Sequence, residues 1–279
     1  MKTYLDCVPC ALRQALEASR MATDDRELQE SALRKVLTEL SEVSWKGMPL
    51  EISHRAARMV IEEIGVEDPY SDIKQSFNEK LLDMYPELKQ KIERSDDQFL
   101  TATKMAIAGN IIDFGPNNSF NVEEVLENSL EQDFAIDDYE DFRRELNEAE
   151  EVVYISDNSG EIVLDRLLLE ELKDKKVELF VRGSPIMNDA MLSDAKYVGL
   201  DEIAEIKEIE KLDSLSESLK ERLKSAEVVI SKGQANYEAF SEVEANLFFL
   251  LIVKCPLIGE DLGAEEGDMI VKWSKPWNG

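Results

Sequence analysis

The sequence predicts an α/β fold in which a helical N-terminal part precedes a mainly parallel β-sheet. Up to about residue 148, apolar residues recur at helical spacing. Beyond that point, short β-branched runs alternate with helical segments, which is typical of parallel strands joined by right-handed crossovers. We therefore expect an all-helical N-terminal domain over residues 1–148 and a three-layer α/β/α, Rossmann-like domain over residues 149–279.

The individual elements follow from the same two periodicities. In the N-terminal part, glycine and proline separate helical patterns at 10–20, 24–43, 49–65, 69–83, 86–107 and 121–130. In the second part, strands are predicted at 151–156, 176–181, 196–199, 227–231 and 247–254, with helices at 161–174, 187–194, 211–225 and 237–245. The charged stretch 137–151 is expected to join the two parts, and residues 273–279 to form a surface tail.

The composition excludes several classes of function. The 279 residues include 60 acidic and 32 basic side chains, a formal net charge of -28. Because such a surface repels phosphate groups, we expect no binding to nucleic acid or to membranes. No apolar run is long enough to span a bilayer or to act as a signal peptide, and three cysteines suit a reducing compartment. The expected location is cytoplasmic, and the oligomeric state is open.

The most informative segment is VVYISDNSGEIVLD, residues 152–165. Its apolar run predicts a strand that ends at Asp157 and Asn158, whose adjacent carboxylate and amide oxygens suit Mg²⁺ or Mn²⁺. The backbone amides of Ser159 and Gly160, close to the start of the next helix, suit an anion. The alternative is that these residues only form a turn and a helix cap.

Two later strand ends carry complementary chemistry. The second predicted strand leads into Gly183, Ser184 and, further on, Asp189. A glycine allows a ligand to approach the backbone closely. A later strand ends at Lys232 and Gly233, and a lysine suits phosphate. Since the carboxyl ends of parallel strands lie along one edge of the sheet, these groups should meet Asp157 there.

A polar pair interrupts the apolar stretch of residues 106–113. Asn110 and Asp113 are three residues apart and therefore lie on one helical face. They either reach the predicted site from the helical domain or cap the end of their own helix. We expect the single histidine, His54, to be a packing or surface residue of its helix.

The three cysteines allow a second metal site. Cys7 and Cys10 form a CxxC pair, and Cys255 follows a predicted strand at the edge assigned to the site. The three thiols could hold a metal ion if the N-terminus folds over that edge. The alternatives are a redox pair, or a surface CxxC without metal and a buried cysteine.

The motifs DNSGE, RGSPIMND and KGQANYE, in this order behind a helical N-terminal part, resemble the damage-control phosphatase family. This family also includes a protein described as an acidic-residue methyltransferase. The segments CVPC and GVEDPY look like its prokaryotic, CxxC-bearing branch. The resemblance implies an α/β/α phosphatase domain with a helical cap. It also implies a divalent metal at Asp157, Asn158 and Asp189, and a phosphate-binding lysine at Lys232.

The preferred interpretation is a metal-dependent phosphatase that hydrolyses phosphate monoesters of small metabolites, such as sugar phosphates or damaged phosphometabolites. The metal is expected to be Mg²⁺ or Mn²⁺, with Co²⁺ and Ni²⁺ as alternatives. Glu161 could be a general base or a supporting group, and the nucleophile is either water or Asp157. One alternative is an S-adenosylmethionine-dependent carboxyl methyltransferase, although a glycine-rich loop is missing after the first strand. Another is a non-catalytic metal-binding or regulatory protein.

Overall fold

The computed structural model describes residues 3–111 and 122–275. The N-terminal helices are α1 (Cys7–Ala22), α2 (Arg26–Glu42), α3 (Pro49–Ile64), α4 (Ser71–Glu93), α5 (Gln98–Ala108) and α6 (Val122–Glu131). The strands that follow are β1 (Phe134–Asp137), β2 (Glu151–Ile155), β3 (Lys176–Arg182), β4 (Glu205–Ile209), β5 (Val228–Lys232), β6 (Leu247–Ile252) and β7 (Met269–Ser274). Between them lie α7 (Tyr139–Glu148), α8 (Glu161–Glu170), α9 (Leu192–Tyr197), α10 (Glu217–Ser225), α11 (Gly233–Phe240) and α12 (Pro256–Leu262).

The strands form one sheet in the order β1-β7-β6-β5-β2-β3-β4. Pairing is parallel throughout except between β6 and β7, which are antiparallel. The predicted α/β class with a mainly parallel sheet is therefore confirmed. The central strand β2 reads as a continuous apolar run because both of its faces are covered by helices.

Three apolar cores hold the molecule together. One core fills the sheet face covered by α4 to α8, and a second fills the face covered by α10 to α12. The third belongs to α1, α2 and α3, which pack on one another through small residues such as Ala11, Ala15, Ala32 and Ala56. Helices α4 to α6 thus share a core with the sheet, and Ile73 near the start of α4 also packs against the core of the first three helices. The domain division at residue 148 stays a prediction.

The edges of the sheet differ from the sequence prediction. Residues 196–199 were expected as a strand, but they end α9 and turn at Gly199, where φ is 73°. The strand forms later, as β4, and because it lies at an edge it alternates charged and apolar residues. Strand β1 lies within the part expected to be wholly helical. Trp273, expected in a tail, lies in β7 and pairs with Phe248 of β6. Short edge strands lack the apolar runs on which the prediction depends.

Helix α4 also differs from the expectation, because it continues through Pro86 where a break was predicted. A proline inside a helix removes one backbone hydrogen bond. Buried Leu81 and Leu88, on either side of Pro86, anchor both halves of α4 in the core beside the sheet. No helix in the described ranges is long and apolar enough to cross a membrane.

The chain order locates a ligand site before any side chain is considered. Strand β2 has β3 on one side and β5 on the other. The chain therefore proceeds from β2 in one direction, towards β4, and later returns to the opposite side. In open α/β sheets, ligands bind outside the carboxyl ends of the strands at such a reversal. In this fold the reversal lies between the ends of β2 and β5.

Candidate active site

The loops after β2 and β3 are joined by backbone hydrogen bonds. Asn158 and Asp189 form an isolated antiparallel bridge, and the amide of Ala190 donates to the carbonyl of Asp157 over 2.8 Å. The amide of Ser159 donates to the carbonyl of Asn188 over 2.9 Å. The structure thereby brings Asp157, Asn158 and Asp189, which the sequence places on two separate strand ends, to one point at the edge of the sheet.

Two carboxylates and two amides form the centre of this site. The Nδ2 atom of Asn110 donates to Asp157 and to Glu161, both at 3.0 Å. The Nδ2 atom of Asn158 donates to the same two oxygens, at 2.8 and 3.0 Å. All four side chains are buried, and Asn110 comes from the helical segment at the end of α5. Asp113 lies outside the described residues.

The two carboxylates differ in their affinity for a proton. Burial, followed by the charges of Glu161 and Asp189, raises the pKa of Asp157 to about 7. Burial also acts to raise the pKa of Glu161, but the charge and hydrogen bond of Lys232 outweigh it and lower that pKa. When two acids interact this closely, the first proton is shared by the pair and is held mainly at one of them. Asp157 therefore holds the shared proton in preference to Glu161.

Gly233 is needed because the turn from β5 into α11 lies directly against Asp157. Its φ is 77°, and a Cβ atom there would lie 1.9 Å from Oδ2 of Asp157. A side chain at this position would therefore clash as well as strain the backbone. The sequence predicted Gly233 as a substrate-binding residue, whereas in the structure it makes room for the carboxylate.

Lys232 occupies a different position from the one expected of a phosphate-binding lysine. Its ammonium group is fully buried and donates to the carbonyl of Ala106 at 2.8 Å, and to Glu161 and Asp165 at 2.6 Å each. These three bonds use all three donors of the ammonium group. In this structure the side chain fixes two carboxylates, and its contact with phosphate stays a prediction.

The backbone amides expected to bind an anion are also in use. The amide of Ser159 bonds to Asn188, and the amide of Gly160 donates to Oδ1 of Asn78 over 2.6 Å. The amide of Gly183 donates to the carbonyl of Ile209. Gly183 and Ser184 are exposed on the side facing β4. These amides are thus bonded within the protein in this structure, and their contact with phosphate oxygens stays a prediction.

Arg182 enters the site from the end of β3. Its Nε donates to Asp189 over 2.6 Å, and its Nη2 donates to Asn236 over 2.9 Å. The same Nη2 lies 3.7 Å from Oδ1 of Asp157. The side chain is 3% exposed, so its charge acts on the neighbouring carboxylates with little screening by solvent. Asn236 is itself fixed by donating to the carbonyls of Ser156 and Lys232.

His54 lies beside this group, on α3. It is buried, as expected of a packing residue, but the charges that act on it include those of Asp189, Arg182 and Asp213. Burial is the largest effect and lowers the pKa of His54 to about 4, so the ring is neutral at pH 7. The first three helices thus bring a polar side chain close to the edge of the sheet.

The cysteines approach one another without forming a metal centre. All three are free and partly exposed, and burial raises the pKa of Cys7, with smaller effects from Glu238, Cys255 and Cys10. Within residues 3–111 and 122–275, no three His, Cys, Asp or Glu side chains are arranged to hold a metal ion. The proposed second site at Cys7, Cys10 and Cys255 is corrected accordingly.

A metal at the sheet edge would therefore have to use amide as well as carboxylate oxygens. Asp157, Asn158 and Asp189 offer such a set, and hard oxygen ligands suit Mg²⁺ or Mn²⁺. The Oδ1 atom of Asn110 is buried and has no hydrogen-bond partner among the described residues. A half-turn of either amide would present oxygen to the site in place of nitrogen. The donor chemistry fits a divalent cation.

Sequence reasoning missed three polar residues of this site: Arg182, Asp165 and Asn236. The sequence marks each of them only locally, as a polar residue in or beside a buried element. Asp165 interrupts the apolar face of EIVLDRLLLE, four residues after Glu161, and a buried carboxylate needs a partner. Arg182 ends a buried strand and Asn236 lies in the first turn of α11. Nothing in their spacing shows that they meet.

Known proteins are similar to this chain over nearly its whole length. The sequence model of the damage-control phosphatase ARMT1-like domain matches residues 3–270. A damage-control phosphatase of Archaeoglobus fulgidus is 34% identical over 98% of this chain and 99% of its own length. Another, from Pyrococcus horikoshii, is 29% identical over 99% of both chains. The crystal structure of a DUF89 family protein from Pyrococcus horikoshii matches 99% of this chain and 100% of that chain, with a TM-score of 0.88 and 28% identity. The chain therefore belongs to the damage-control phosphatase ARMT1-like family.

Proposed function

We propose that this protein hydrolyses phosphate monoesters of small metabolites, such as sugar phosphates or damaged phosphometabolites, and that it needs a divalent cation. The observation that carries the proposal is the convergence of Asp157, Asn158 and Asp189 at the reversal of the strand order, with Arg182 beside them. Two carboxylates, an amide and a buried cation are the groups that phosphoryl transfer requires.

In this proposal Asp157, Asn158 and Asp189 hold the cation, which is Mg²⁺ or Mn²⁺ or, as alternatives, Co²⁺ or Ni²⁺. When bound, the cation would polarise a phosphoryl oxygen and offset the charge of the phosphate. It would also lower the electrostatic cost of ionising Asp157, because that cost comes from burial and from the neighbouring charges of Glu161 and Asp189.

Glu161 acts in this proposal as a positioning residue and not as a general base. Its Oε1 accepts from Lys232, and its Oε2 accepts from Asn110 and Asn158. With both oxygens engaged, the carboxylate fixes the two amides that face Asp157. Lys232, which also donates to Asp165, holds Glu161 in turn, so this buried network sets the geometry of the site without touching the substrate.

Two nucleophiles fit this arrangement, a water molecule and Asp157 itself. Asp157 accepts both amide hydrogen bonds through Oδ2, whereas its Oδ1 faces Arg182. Acid quenching during turnover followed by borohydride reduction separates the two routes, since an aspartyl-phosphate would be reduced to homoserine at position 157, whereas direct attack by water leaves Asp157 unmodified. Helices α1 to α3, which bring His54 to the site, would select the leaving group as a cap.

The test is phosphate release from p-nitrophenyl phosphate and a panel of sugar phosphates. The protein would be stripped of metal and then supplied with Mg²⁺, Mn²⁺, Co²⁺ or Ni²⁺ in turn. Turnover that depends on metal and is lost in Asp157→Asn supports the proposal. Metal-independent turnover, or undiminished turnover in that variant, would contradict the assignment of the site.

A further inference from the structure

The site contains two buried cations, Lys232 and Arg182, and only one of them has a donor to spare. The ammonium of Lys232 is 0% exposed and its three donors are bonded to Ala106, Glu161 and Asp165. Contact with a phosphate oxygen would require one of these bonds to break. Since two of the acceptors are buried carboxylates, breaking either bond would leave a buried charge without its partner.

The guanidinium of Arg182 is held differently. Nε bonds to Asp189 and Nη2 bonds to Asn236, so the plane of the group is fixed from two sides. Nη1 is buried and has no hydrogen-bond partner within the described part of the chain. A buried donor without an acceptor is costly, and such atoms in native proteins call for an explanation.

The neighbours of the guanidinium group indicate what this donor could bind. Nη2, on the same planar group, lies 3.7 Å from Oδ1 of Asp157, so the guanidinium borders the carboxylate at the centre of the site. An arginine presents donors in a rigid plane that matches the oxygens of a phosphate, and the match needs no rearrangement when the plane is already fixed. Asn236, although it is uncharged, thus fixes the guanidinium of Arg182 in an orientation in which it can bind an anion.

We propose that Arg182 binds the phosphoryl group through its Nη1 donor. This inference rests on the proposed phosphatase function and assigns the residue that contacts the transferred group. Asn236 and Asp189 orient the guanidinium, and Lys232 remains a positioning residue that acts through Glu161. The ligand class is a phosphate dianion, either free or as the head of a monoester.

The experiment measures the binding of inorganic phosphate in the presence of Mg²⁺ by calorimetry, so that it does not depend on turnover. Arg182→Lys keeps the charge but loses the planar donors, and we expect its dissociation constant for phosphate to rise about tenfold or more, as for the loss of a charge-assisted hydrogen bond. Arg222→Lys is the control. Arg222 is also paired with two carboxylates, Glu178 and Glu151, but lies away from the site, and its replacement should leave the constant unchanged.

A second variant separates binding from a purely structural role. Arg182→Ala removes the whole group, and we expect added guanidinium ion to restore part of its phosphate affinity. Thermal unfolding of each variant shows whether the fold is kept. Wild-type affinity for phosphate in Arg182→Lys would overturn the inference, as would wild-type protein that binds no phosphate. Absence of ester hydrolysis by wild-type protein that does bind phosphate would instead refute the proposed function alone.

Discussion

Replacing Asp157 by asparagine in the metal-free protein should raise its stability at alkaline pH. The pKa of Asp157 is raised to about 7 by burial and by the charges of Glu161 and Asp189, whereas an unfolded chain has a value of about 3.9. Because the folded-state pKa is the higher one, the stability associated with this proton is fully present below about pH 4. It is lost as the pH rises through about 7. At 1.36 kcal/mol per pH unit, the loss is on the order of 4 kcal/mol.

An asparagine cannot ionise, yet its oxygen can still accept from Asn110 and Asn158. At about 2–4 °C for each kcal/mol, we therefore expect Asp157→Asn to unfold about 8–16 °C above the wild type at pH 8. At pH 4 the two proteins should differ little. The assay is thermal unfolding of metal-stripped protein from pH 4 to pH 8, with the exposed Asp201→Asn as control. An unfolding-temperature difference that does not grow with pH would refute the reasoning.

Three further outcomes are expected. In urea unfolding, Gly233→Ala should lower the free energy of unfolding by clearly more than Gly263→Ala, for which we expect a loss of ~1 kcal/mol. Both glycines have positive φ, but only at Gly233 would a Cβ lie against Asp157. Equal losses in the two variants would contradict this reasoning. Lys232→Met should lower the free energy of unfolding by about 3–5 kcal/mol, because it leaves the buried carboxylates of Glu161 and Asp165 without their cation. A loss under about 1 kcal/mol would show that these carboxylates do not depend on Lys232. Glu238→Ala should lower the free energy of unfolding by about 1 kcal/mol, because Glu238 accepts a hydrogen bond from the backbone N–H of Leu50 in the first turn of α3. Helix α3 has no side-chain cap of its own. An unchanged free energy of unfolding would exclude this capping role.

The fold was predictable where the pattern of the sequence reflects burial. Strands β2, β3, β5 and β6 are apolar on both faces because helices cover the sheet on both sides, and their predicted positions agree with the structure to within two residues at either end. The edge strands were not predictable in this way. Strand β4 is half-exposed and rich in charge, and β1 is only four residues long, so neither produces a continuous apolar run.

The candidate site likewise contains residues whose place the sequence predicts and residues whose contacts it does not predict. Asp157, Asn158 and Asp189 follow strand ends, and the edge rule for parallel sheets is enough to bring them together. Lys232 also follows a strand end, but the alternation of the pleat directs its side chain towards α5 and α8, where the carbonyl of Ala106 and two carboxylates take its donors. The sequence therefore predicted the place of this lysine but not its partners.

By itself, the sequence determined the α/β class, the positions of the central strands along the chain and the polar residues at their carboxyl ends, because these depend on local periodicity. Only the tertiary structure decided which donors are already in use. The amides of Ser159, Gly160 and Gly183 already donate to other groups of the protein. Lys232 is bonded to Glu161 and Asp165, and Arg182 keeps one donor without a partner among the described residues. The physical reason is that a hydrogen bond depends on distances of about 3 Å between residues far apart in the chain, and no local pattern encodes those distances.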